Sequence, residues 1–117
     1  MAKQRISYRT LEIGIGTDRL VQLRSAGISV PRAMVLAVVR DASEKYGNAF
    51  IGEVHAMYSA KAKSIGGIDR KGYSYNGVSS MLRSLYADGL VDKRRDRGAV
   101  KYHTTKKGSD LLDALGI

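Results

Sequence analysis

Residues 93–97 read "KRRDR": Lys93, Arg94, Arg95 and Arg97 crowd together with only Asp96 between them. A guanidinium offers forked N–H donors that match phosphate oxygens, and it stays charged at any physiological pH. Such a cluster holds anions by charge and hydrogen bonding, and it supplies neither a nucleophile nor a general base. Lys101 follows a few residues on, and Arg70, Lys71 and Tyr73 stand upstream. Lys, Arg and Tyr are the side chains that most often touch phosphate, where they position rather than specify. Over the whole chain, 20 Lys and Arg against 11 Asp and Glu leave a net charge of +9 and a pI near 10.0. A compact chain bears that excess as self-repulsion, so a polyanionic partner is the first expectation. The competing account of the same residues is a solvated turn on a generally basic protein. Asp92 and Asp96 are placed either to hold the arginines or to soften repulsion among them.

Other chemistries find no residues. Cysteine is absent, which removes disulfides, zinc fingers and thiol catalysis. His55 and His103 fall in different elements, so no metal site is expected. "GIGTDR" and "SIGGIDRKG" contain glycines but lack the spacing and the Lys-Ser/Thr ending of a phosphate-binding loop. No serine sits in a nucleophile elbow. No cofactor and no enzymatic activity are expected. "MAKQRISYRT" has no apolar core, and no apolar run approaches the roughly 20 residues of a membrane span. The expectation is a soluble, cytoplasmic, nucleoid-associated protein without a membrane partner.

At 117 residues the chain is long enough for one domain with a modest core. Residues 1–16 read as an N-terminal arm in which Leu11, Ile13 and Ile15 alternate. Residues 17–117 read as the folded domain. Thr17 is a plausible cap for a short helix that Gly27 stops. Pro31 opens a longer helix carrying Met34, Val35, Val38, Val39 and Ala42 at helical spacing, ended by Gly47. A further helix is predicted over 51–63, with Ile51, Val54 and Tyr58 on one face. A glycine-rich basic connection spans 64–74. The next helix runs from Ser74 or Tyr75 to Asp88, turning Val78, Met81, Leu82 and Leu85 inward, with Gly89 in left-handed conformation after it. Strands follow near 90–95 and 99–104 with a turn at 96–98. A last helix after Thr105 carries Leu111, Leu112 and Leu115.

With Val78, Leu82 and Leu85 buried, the helix from Tyr75 exposes Asn76, Ser79, Ser80 and Arg83. Short polar side chains and one arginine can approach and hydrogen-bond base edges, although most polar helix faces are simply solvated.

"VSSMLRSLYADGLVDKRRDRGAVKYHTTKKGSDLL" resembles the winged helix-turn-helix DNA-binding domains of the MarR and PadR regulator families. The likeness lies in the spacing of Val78, Leu82 and Leu85, in Gly89-Leu90-Val91, and in the basic hairpin. It continues in Tyr102, Thr105 and Gly108 before paired leucines. "LRSAGISVPRAMVLAVV" is also similar to the first helices of the Fur DNA-binding domain, and together the resemblance spans about residues 20–115. It implies an α+β, mainly α fold: a three-helix core, a two-stranded wing and a terminal helix. It also implies that 75–88 is the recognition helix, contacting DNA through Tyr75, Asn76, Ser79, Ser80 and Arg83. The flanking contacts would be Arg70, Lys71, Tyr73, Lys93, Arg94, Arg95, Arg97 and Lys101. The connection at 64–74 departs from the family, since a tight helix-turn-helix uses about 3–4 residues there. The metal-binding dimerisation domain of Fur proteins has no counterpart here.

The expected partner is double-stranded DNA, in a transcriptional regulator or a DNA-organising or partition factor. An RNA-binding or ribosomal winged-helix protein, or a protein-interaction module, are the alternatives. One winged helix covers one half-site, so a homodimer is expected. Its interface would use Leu11, Ile13, Leu20 and Leu23 with Leu111, Leu112 and Leu115 of the last helix.

Overall fold

The computed structural model describes residues 25, 27–47, 49–65 and 74–116. In chain order they form α1 (Val30–Tyr46), β1 (Ala49–Phe50), α2 (Ile51–Ile65), α3 (Tyr75–Ala87), β2 (Val91–Asp96), β3 (Ala99–Thr104) and α4 (Lys106–Leu115). The arm at 1–16, the body of the helix predicted over 17–27 and most of the connection at 64–74 lie outside the described residues. Gly27 does have the positive φ, +71°, that suits a helix stop.

Local signals explain where the helices begin and end. Ser29 caps α1, its hydroxyl accepting the Arg32 N–H at 3.4 Å, and Pro31 occupies the first turn. Gly47 closes α1 at φ +89° and donates its N–H to the Ser43 carbonyl at 2.8 Å. At the start of α2, Glu53 accepts the Phe50 N–H at 3.0 Å, the carboxylate half of a capping box. Ser74 caps α3 through the Gly77 N–H at 2.9 Å. Gly89 takes φ +75° after α3, as its position predicts.

The apolar spacing in α1 predicts one inward face, but every residue from Ala33 to Val39 is fully buried, as is Ala42. The reason is position. Helices α2, α3 and α4 and the sheet all pack against α1, so it is central and needs no polar side there. Val54 and Tyr58 of α2 and Val78, Leu82 and Leu85 of α3 complete the core, with Met81 only partly covered.

The hairpin has the predicted position and gains a partner. β2 and β3 pair antiparallel from Val91↔Thr104 to Asp96↔Ala99. β1 adds to the other edge of β3 through Ala49↔Tyr102 and Phe50↔Lys101, giving the order β1-β3-β2. The sheet is therefore three-stranded rather than two-stranded. Two residues are too few to show alternation, and Ala49 earns its place by tertiary burial, not strand propensity.

α4 seals the end of the core. Leu112 and Leu115 are buried in this chain's own interior and Leu111 only partly so. Of the three leucines expected at a dimer interface, Leu112 and Leu115 therefore have cover within their own chain. Leu11, Ile13, Leu20 and Leu23 lie outside the described residues. The fold is a winged helix-turn-helix, mainly helical α+β, with a small third strand bracing the wing.

Candidate nucleic-acid interface

α3 carries a continuous outer stripe. Asn76, Ser80 and Arg83 are exposed and Ser79 half-buried, all set opposite Val78, Leu82 and Leu85. Residues four and three apart fall on one side of a helix, so Asn76, Ser80 and Arg83 line up. Tyr75 at one end and Tyr86 at the other are also open, 50% and 43% exposed. The Tyr75 ring meets His55 of α2 edge-on at 5.8 Å, which couples the start of α3 to the preceding helix.

The wing folds alongside this stripe. Strand alternation and register put Lys93, Arg95, Val100 and Tyr102 on the sheet face that also carries buried Val91 and Ala49. Lys93 Nζ sits 4.5 Å from the Tyr86 ring centroid, tying that face to α3. Tyr102 belongs to the same junction. Burial pushes its hydroxyl above the ordinary tyrosine range, Tyr75 pushes it further, and the Arg83 guanidinium pulls it back. Tyr102 therefore keeps its proton and can donate.

The opposite sheet face is self-compensated. Asp96 pairs with Lys101 at 3.2 Å, and Lys101 Nζ also lies 4.9 Å from the Phe50 ring centroid. Asp92 faces His103 Nε2 at 4.0 Å and accepts the Lys93 N–H at 2.9 Å. Neither aspartate holds an arginine. Arg94 shares this face, while Arg97 stands at the tip.

At that tip Arg97 has φ +52° and Gly98 φ +84°, between paired Asp96 and Ala99. Both central residues with φ > 0 define a two-residue type I′ turn, which favours Asn-Gly. Arginine there bears a left-handed backbone costing about 1 kcal/mol. Arg97→Asn is expected to raise stability by roughly 0.5–1 kcal/mol in denaturant unfolding while removing a charge from the tip.

Several described cations elsewhere are engaged. Arg32 pairs with Asp88, Arg40 with Asp41 at 3.3 Å, and Lys106 with Asp110 at 3.6 Å; Lys107 donates to the Asp88 carbonyl at 2.9 Å. By contrast Arg83, Arg94, Arg95 and Arg97 make no hydrogen bond or ion pair among the described residues. All four lie on α3 or the wing. Arg70, Lys71 and Tyr73 fall outside the described residues. Tyr86 and Tyr102 border the same stripe and are not among the residues expected there from the sequence. Helical spacing from Arg83 to Tyr86, and strand spacing from Val100 to Tyr102, were the signals available.

Among the described residues no group of three or more His, Asp or Glu could hold a metal ion, and no helix is long and apolar enough to cross a membrane. No protein-family model matches the sequence, and no curated protein matches it. A solved structure, that of SSV1 F-93, is similar with a TM-score of 0.49 and 18% identity, over 74% of this chain and 81% of that one.

Proposed function

We propose that this protein is a sequence-specific double-stranded DNA-binding protein that acts as a dimeric transcriptional regulator or DNA-organising factor. In this reading α3 enters the major groove and the wing lies along the backbone or in the adjoining minor groove. The carrying observation is the segregation of cations: Arg83, Arg94, Arg95 and Arg97 make no hydrogen bond or ion pair among the described residues, whereas Arg32, Arg40, Lys101 and Lys106 do. Unpaired guanidinium groups beside a polar helix stripe suit a groove flanked by phosphates. Tyr75 and Tyr102 add hydroxyl donors at the junction.

Selection of bound duplexes from a random pool tests this. An enriched palindrome is expected, because a two-fold dimer reads two half-sites about one helical turn apart. Enrichment of structured RNA over duplex in competition would overturn the reading. On the selected site, Arg83→Ala is expected to lose about 1–3 kcal/mol, and less on random duplex. Equal losses on both would make Arg83 a phosphate contact.

A further inference from the structure

We infer that the preferred half-site holds an A·T pair read by Asn76 and a G·C pair read by Arg83, about three base pairs apart. This rests on the major-groove placement of α3 proposed above, and it names what that face reads. Asn76 and Arg83 are both exposed and lie seven residues apart on α3, with Ser80 between them. Two turns bring them back to nearly the same angle, and the rise of about 1.5 Å per residue separates them by about 10 Å. Stacked base pairs rise about 3.4 Å, so that separation spans at most about three steps, the full number when the helix axis runs with the base stack.

The chemistry of the two side chains then differs by base. A carboxamide offers one acceptor and one donor edge, which matches adenine N6 and N7; a guanidinium offers two donors, which match guanine O6 and N7. Neither side chain makes a hydrogen bond or ion pair among the described residues, so neither must give one up to reach a base. Ser79 and Ser80 are too short to reject a base by bulk, which leaves the intervening pairs loosely specified. Their hydroxyls can donate or accept, so they add contact without choosing. Tyr75 and Tyr86, eleven residues apart, stand at the two ends of the stripe and bound its reach.

The experiment uses the full chain and the duplex selected from a random pool. Replacing the half-site guanine by 7-deazaguanine removes the N7 acceptor without changing pairing. Affinity of the unaltered protein is expected to fall about tenfold, while Arg83→Ala binds both duplexes equally. The matching test pairs 7-deazaadenine with Asn76→Ala. The inference is overturned if selected sites lack an A·T and a G·C pair at this spacing. It is equally overturned if Arg83→Ala stays as sensitive to 7-deazaguanine as the unaltered protein. Uniform binding to all duplexes would remove this half-site but leave DNA binding standing. Failure to bind any duplex, in a chain whose circular dichroism shows it folded, would remove both.

Discussion

Replacing Arg94, Arg95 and Arg97 together with alanine is expected to weaken binding to every duplex by about 30-fold near physiological salt, and to flatten its salt dependence by about 2 in the slope of log K against log salt. Each phosphate contact contributes roughly 0.9 to that slope, so about 2 means two contacts, not three. The two sheet faces say which two. Arg95 shares its face with Lys93 and no acid, and Arg97 projects from the tip. Arg94 lies with Asp92 and Asp96, whose carboxylates already lower the local positive potential. Single substitutions therefore separate: Arg95→Ala and Arg97→Ala each lose close to one contact, and Arg94→Ala loses little. Folding survives all three, because these side chains are exposed and contribute nothing to the core. Anisotropy titrations of fluorescent duplex at several salt concentrations measure the slope. An unchanged slope in the folded triple variant would mean that the wing does not touch the backbone.

Most of this architecture was legible because its signals are local. Pro31, Gly47, Ser74 and Gly89 mark helix ends by backbone chemistry that does not depend on the rest of the fold. The alternation of Val100, Tyr102 and Thr104 marks β3 in the same way. What escaped was decided by neighbours far away in sequence. β1 exists because Ala49 fits against Tyr102, 53 positions on. That α1 is central, enclosed by three helices and the sheet, was legible in the unbroken apolar run from Ala33 to Val39, but not which elements enclose it. Leu112 and Leu115 read as spare apolar surface until α4 docks on α1. The site shows the same division. The cluster at 93–97 is visible as charge, but which cations are already neutralised depends on pairings such as Lys101 with Asp96.

Thr105 and Gly108 belong to the winged-helix-like pattern in the sequence, and their surroundings supply its physical reason. The Thr105 hydroxyl caps α4 by accepting the Gly108 N–H at 3.1 Å and donates to the Gly89 carbonyl at 2.6 Å. The Thr105 N–H reaches the Leu90 carbonyl at 3.1 Å. These bonds draw the first turn of α4 onto the chain that links α3 to the wing, closely enough to exclude a side chain at 108. A Cβ there would clash with the Leu90 carbonyl oxygen and stand 3.4 Å from Leu36 Cδ1. Alanine in a helix is otherwise about 1 kcal/mol better than glycine. Overpacking against backbone, which cannot rotate away, costs about 3 kcal/mol at the upper end of its usual range. Gly108→Ala is therefore expected to destabilise the fold by about 2 kcal/mol, lowering the thermal midpoint by about 8 °C. Gly52→Ala supplies the opposite sign, since nothing lies within 4 Å of a Cβ at that position in α2. It is expected to leave the midpoint unchanged or raise it. Because Gly108 packs on Leu90, in the link between α3 and the wing, Gly108→Ala is also expected to shift the hairpin relative to Arg83. The remaining folded protein then binds duplex more weakly at temperatures well below the midpoint. A variant as stable as the original chain would show that α4 can move away from Leu90, and that the wing is not held by this contact.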